Sequence, residues 1–200
     1  MRGRWERQVE ADFRFPRHVP DQPDNLELIG YNLNDPLRDP DIFKANQYDL
    51  IHSRFLAPGI KNGRWTRYIR DMKLLLRPGG WVQMMEYLPI IQSHNGRLTD
   101  ESAVRRWWQS YQAAMSRMDR DPRIGRRLSQ LLLENRYRDV AVEIKQLQIG
   151  VGDLLESLGV WPFTSELGWT SAQFDHLMQE VRGELRNVEL KLYIEMYRAM

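Results

Sequence analysis

The feature that most constrains this chain is a tight turn, Arg77-Pro78-Gly79-Gly80, with an apolar run after it and a helical repeat before it. Proline cannot continue a helix and two glycines free the backbone to reverse, so a helix must end here. Before the turn, Trp65, Tyr68, Ile69, Met72 and Leu75 recur at steps of three and four, which places them on one helical face. Residues 48–52 (YDLIH) form a short, mostly apolar run suited to a strand covered on both faces. Residues 81–86 (WVQMME) leave the turn as a second strand. Parallel neighbours need a long crossover between them, so strand, helix, tight turn, strand is the unit of a parallel α/β sheet.

The rest of the chain can be placed around that unit. Three prolines in residues 14–24 (RFPRHVPDQPD) mark an irregular connection, and residues 25–33 (NLELIGYNL) read as a strand stopped by Asn34-Asp35-Pro36. Val104, Trp107, Trp108, Tyr111, Met115 and Met118 form an aromatic and methionine stripe at helical spacing. Ordinary core packing and a substrate-pocket wall both explain that stripe. Asp121-Pro122 opens a further helix that buries Ile124, Leu128, Leu131 and Leu132. Val140, Val142 and Ile144 alternate with polar residues as in a half-buried strand. Thr170 and Gln173 have the spacing of a capping box, heading a helix with Phe174, Leu177, Met178, Val181 and Leu185 inward. The last eleven residues read as a closing strand, with a continued helix as the alternative.

Composition removes several function classes. Lys and Arg total 29 against 27 Asp and Glu, a net charge of +2, and the arginines are scattered, so no nucleic-acid footprint is expected. With no cysteine there is no disulfide frame, thiol nucleophile or cysteine-based zinc site. The four histidines (His18, His52, His94, His176) lack ligand spacing, and no Gly-x-Ser-x-Gly occurs, so metalloenzyme and hydrolase readings fall away. No apolar run reaches the roughly 18 residues of a membrane span, and the charged first ten residues are unlike a signal peptide. The expectation is an intracellular protein, cytoplasmic or nuclear, of one domain.

Two segments, YDLIHSRFLAPGI (48–60) and LLLRPGGWVQMME (74–86), together resemble class I S-adenosylmethionine (SAM)-dependent methyltransferases, in particular the fungal group that includes regulators of secondary metabolism. DVAVEIKQLQIG (139–150) is similar to the family's late strand, and SELGWTSAQFDHLMQEVRGELRN (165–187) with LYIEMYRAM (192–200) to its closing helix and strand. The resemblance implies a Rossmann-like α/β fold, a mostly parallel sheet with helices on both faces and N-terminal strands missing or degenerate. It divides the single domain into a partial cofactor-binding core (9–98), a helical insertion over the pocket (99–138) and C-terminal strands and helix (139–200).

For the site, the resemblance implies that Asp12 takes the SAM ribose and that Asn32 and Leu33 stand beside the adenine. His52, Ser53 and Arg54 would follow the strand that faces the methyl group, with His52 as a possible proton acceptor. Glu86 is a further pocket-wall candidate, or else an exposed strand-end carboxylate. Residues 1–24 hold one glycine, Gly3, so the glycine-rich loop that cradles SAM in the family is absent, and Gly150-Val151-Gly152 fits a turn better. The strand that ends in that loop would lie between the family's second and fourth strands, and its loss would leave unpaired backbone on both. The sequence therefore supports a methyltransferase acting on a small molecule or a protein side chain. It also leaves open a non-catalytic binding or regulatory protein, a truncated form, or the same fold turned to another reaction. Oligomeric state is not fixed by it.

Overall fold

The computed structural model describes residues 29–148 and 152–200. Residues 33–200 form one compact unit, and residues 29–32 belong to a separate N-terminal one. The order in the larger unit is β1 (Tyr48–Arg54), α1 (Trp65–Leu75), β2 (Leu76–Ser93), α2 (Ala103–Arg117), α3 (Leu128–Glu134), β3 (Val142–Gln148), α4 (Gly152–Trp161), α5 (Ser171–Leu185) and β4 (Leu192–Ala199). The expected α/β class is observed.

The sheet order is β1-β2-β4-β3. β1 and β2 are parallel and joined through α1, the Rossmann-like unit that the turn predicts. β4 then lies antiparallel to both β2 and β3. Among the described residues the sheet is thus mixed rather than mostly parallel, because the closing strand is inserted between its predecessors against their direction.

The Pro-Gly-Gly turn has a more specific job than ending a helix. β2 begins at Leu76, directly after α1, and the register with β1 jumps from Tyr48↔Leu76 to Leu50↔Trp81. The extra residues loop out between. Gly79 has φ +81°, and a Cβ on Gly80 would meet the carbonyl oxygens of Tyr48 at 2.9 Å and Arg77 at 3.0 Å. Only glycine lets the two backbones approach this closely.

α1 buries Trp65, Tyr68, Ile69, Met72 and Leu75, the face its spacing predicts. The aromatic stripe of α2 proves to be core: Trp107 stacks on Tyr111 at 4.9 Å between centroids, and both pack with Phe163, Phe174, Leu177, Met178 and Ile194. The lobe of α2, α4 and α5 therefore closes on the distal halves of β2 and β4, and the substrate-wall explanation of the stripe is not needed.

α5 starts on the expected capping box. Thr170 Oγ1 accepts from the Gln173 amide at 3.2 Å, and Gln173 Oε1 accepts from the Thr170 amide at 2.9 Å. Thr170→Ala should lower stability by about 1 kcal/mol, read as a fall in the urea midpoint with an unchanged slope. A change below a few tenths would mean that the cap is redundant.

Two further expectations fail. Residues 29–33 form no strand, while residues 25–28 lie outside the described residues. The chain from Leu33 onward gives its backbone groups to side chains of α1 and its flank instead of a ladder (below). β3 forms where alternation predicts it, but residues 141–147 are exposed on both faces, because β3 is an outer strand and, among the described residues, no helix covers it.

Candidate functional site

In a parallel α/β sheet, ligands sit beyond the carboxyl ends of the strands. Here that place is the end of β1, where Arg54 gives way to Phe55 in a left-handed conformation (φ +57°). A non-glycine residue holds such a backbone only when its surroundings fix it. The Phe55 amide donates to Met85 O at 2.9 Å, and its ring lies 4.9 Å from that of Tyr87.

The next two residues are held by a carboxylate. Glu86, 1% exposed, accepts from the Leu56 amide at 2.7 Å and the Ala57 amide at 3.2 Å. Burial pushes its pKa from 4.5 to about 7, against the lowering effect of those two bonds. The expected alternative of an exposed strand-end carboxylate is overturned: β2 runs seven residues past Glu86, pairing with β4, so this position is mid-strand and covered. Burial likewise raises Tyr87 to about 12 and holds Tyr111 still higher, so both phenols near Glu86 stay neutral.

The loop's far side is held by residues 33–37. Asn34 donates to Gly59 O at 3.0 Å and accepts from the Lys61 amide at 2.8 Å. Arg64 donates to Leu33 O at 3.1 Å and Asp35 O at 2.9 Å, and pairs with buried Asp71 at 2.7 Å. Asp71 also accepts from the Leu37 amide at 3.3 Å. Leu33 is therefore brought beside the loop that leaves β1, through Asn34 and Arg64.

The other candidates separate. His52 and Arg54 are exposed on one side of β1, opposite Gln83 and Met85 of β2. Ser53 turns to the other side, 4% exposed, where its Oγ accepts from the Tyr68 phenol at 3.2 Å. Its hydroxyl is part of the β1–α1 packing and does not share a face with His52. Asn32 is half-buried in the N-terminal unit, and Asp12 lies outside the described residues. Asn34 and the clamping role of Glu86 have no local sequence signal, since their partners lie 25 to 30 residues away.

A methyltransferase of Aspergillus terreus named pytC is 27% identical over 159 residues, covering 70% of this chain and 48% of that protein. The chain is similar to fungal methyltransferases. The methyltransferase grgD of a Penicillium species is 35% identical over 81 residues, 40% of this chain and 27% of its own length. The secondary metabolism regulator LAE1 of Hypocrea atroviridis is 23% identical over 183 residues, 81% of this chain and 51% of the regulator. The chain thus spans about half the length of pytC and LAE1 and less of grgD. No family model matches it. Among solved structures, phosphoethanolamine N-methyltransferase 2 of Haemonchus contortus, in complex with SAM, is similar at 16% identity and a TM-score of 0.42, over 78% of this chain and 34% of that one.

SAM presents a ribose diol, an adenine edge, a methionine carboxylate and a sulfonium. Glu86 and Ser53 are already bonded within the protein, so neither is free for it. The exposed Asp35, next to Asn34, offers a carboxylate beside the loop. No glycine-rich turn presents amides at the end of β1 among the described residues, and the nearest glycine, Gly59, stands in ordinary contact with Leu56 O. The described residues therefore do not fit SAM by themselves. No described helix is long and apolar enough to cross a membrane.

Proposed function

We propose that this protein is a SAM-dependent methyltransferase acting on a small molecule or a protein side chain inside the cell. The observation that carries this reading is the pinned loop at the carboxyl end of β1. A buried carboxylate holds the amides of Leu56 and Ala57, Met85 O holds that of Phe55, and Asn34 holds Gly59 and Lys61. A loop fixed from two directions is what a site built on positioning requires, because placing reactants within about 3–3.5 Å supplies much of the rate. His52 is the proposed proton acceptor and Arg54 its neighbour on the same face; Asp12, Asn32 and Leu33 are the proposed cofactor contacts. The kinship with fungal methyltransferases supports the reaction class, and the likeness to LAE1 makes fungal secondary metabolism the first place to look for a substrate.

Calorimetric titration of SAM and S-adenosylhomocysteine tests the reading. Binding in the micromolar range would show that the cofactor site stands without the glycine-rich loop. Asp12→Ala and Asn32→Ala should each weaken it about tenfold or more, the worth of one hydrogen bond to a charged or dipolar ligand group. A chain that melts cooperatively yet binds neither compound would reject the enzyme reading. It would favour the alternative, a methyltransferase-like binding or regulatory protein. That alternative has its own support in Ser53 and Glu86, which are committed to the protein's own structure, and in the lack of a glycine turn at the end of β1 among the described residues.

A further inference from the structure

β3 is an outer strand with nothing against its free edge among the described residues. Ala141 and Met200 exchange both backbone hydrogen bonds, at 2.8 and 3.0 Å. By the twofold period of a strand, Glu143, Lys145 and Leu147 then turn their backbone groups toward β4. Val142, Ile144 and Gln146 turn theirs outward, where no described residue pairs with them. The same strand carries two exposed apolar side chains on one face, Val142 at 48% and Ile144 at 55%. An edge of this kind is a template for another strand, and natural proteins ordinarily blunt it with a proline, a bulge or charged side chains; here the charges, Glu143 and Lys145, are opposite in sign and two positions apart, so an antiparallel copy can pair them. The strand VEIKQLQ has no proline and pairs with β4 without a bulge.

We propose that a second copy of this chain covers this edge, with the two β3 strands antiparallel about a twofold axis through Ile144. The register follows from the strand's own chemistry. An isologous contact places each residue against its symmetry partner. Outward-turned backbone groups must face outward-turned ones, which excludes any shift by one residue. With Ile144 opposite its own copy, Val142 faces Gln146 and Glu143 faces Lys145, each pair occurring twice. The Glu143–Lys145 positions are the closely spaced, non-hydrogen-bonded kind, where side chains meet best. Sliding two residues one way sets Lys145 against Lys145, and the other way Glu143 against Glu143, and like charges directly opposite are destabilising. One register therefore satisfies the amides, buries Ile144 against itself and pairs opposite charges. In the single chain Glu143 lies 3.3 Å from Lys145 and 3.5 Å from Arg198, and all three side chains are partly exposed, so they can turn to a partner at little cost.

The test is sedimentation equilibrium of the whole chain across a wide concentration range. A reversible dimer is expected. Glu143→Lys or Lys145→Glu alone, which makes both cross-strand pairs repulsive, should weaken it about tenfold or more. Glu143→Lys combined with Lys145→Glu should restore it, because the swap returns opposite charges to the same positions. Ile144→Lys, on the other face and away from Arg198, should abolish it, with a thermal melt verifying that the fold is kept. A wild-type chain that stays monomeric at its highest soluble concentration would overturn the proposal. So would a dimer indifferent to both Ile144→Lys and the single charge reversals, since its contact would then lie elsewhere.

Discussion

Asp71→Ala is expected to lower folding stability by about 3–5 kcal/mol, the cost of leaving one member of a buried ion pair alone. The Arg64 and Asp71 side chains are 9% and 4% exposed, and their contact at 2.7 Å joins the two groups that hold residues 33–37. Without the carboxylate, the Arg64 guanidinium keeps the carbonyls of Leu33 and Asp35 and the face of the Tyr68 ring at 6.0 Å, none of which carries a charge to balance it. The Leu37 amide also loses its acceptor. Arg38, 3.7 Å from the same carboxylate and mostly exposed, gains water in exchange and adds little. Urea unfolding gives the number directly. The double change Arg64→Met with Asp71→Leu should recover a large part of the loss, because neither charge then remains buried. That variant would still lack the bonds that hold residues 33–37, so faster amide exchange in residues 33–37 should survive the rescue of global stability. An Asp71→Ala cost under about 1 kcal/mol would mean that water reaches Arg64 and that the pair is not the tether described here.

The contrast between what the chain's pattern announces and what it hides runs along sequence distance. The buried face of α1, the aromatic stripe of α2 and the capping box of α5 are legible because each depends on spacings of three and four residues. The Pro-Gly-Gly turn is legible for the same local reason, although its part in the close approach to Tyr48 is visible only once β1 lies beside it. α4 is passed over because a Gly-Val-Gly run reads as a turn just where Gly152 begins the helix. The burial of Glu86 is misjudged because a carboxylate after an apolar run looks like a strand end, and only pairing with β4 carries the strand further. The tether of Arg64 and Asp71 and the clamp of Asn34 are polar contacts across 7 to 34 positions with no period to betray them. The parts of the candidate site that do the positioning are thus the parts that sequence conceals. The residues that it does advertise, His52, Ser53 and Arg54, divide between two faces of one strand.

Stability should fall as pH rises from about 4.5 to about 7, by up to about 3 kcal/mol, and the slope should vanish in Glu86→Gln. In the unfolded chain the carboxyl titrates near its ordinary 4.5, whereas burial lifts it to about 7 in the folded protein. Between those values the folded state holds a proton that the unfolded state has released, so each step up in pH favours unfolding. Below about 4.5 both states are protonated and above about 7 both are ionised, and the contribution is flat on either side. The titratable neighbours that feel Glu86, namely Tyr68, Tyr87 and Tyr111, are all raised by burial and stay neutral throughout this window, so they add no slope. Glu86→Gln keeps one amide oxygen for Leu56 or Ala57 and turns an NH2 toward the other. It should cost about 1 kcal/mol at pH 5, where the native carboxyl is itself neutral. At pH 8 the variant should equal or exceed the wild type, because it no longer buries a charge. Urea unfolding at pH 5, 6, 7 and 8 measures the difference, and equal slopes in the two proteins would show that Glu86 ionises without cost and that water enters beneath the loop. Amide exchange at Leu56 and Ala57 adds a local readout: protection should strengthen as Glu86 ionises, since a carboxylate accepts both bonds better than a carboxylic acid does. The same charge that weakens the fold as a whole therefore tightens the loop at the end of β1, so that loop order and global stability should move in opposite directions across this one titration.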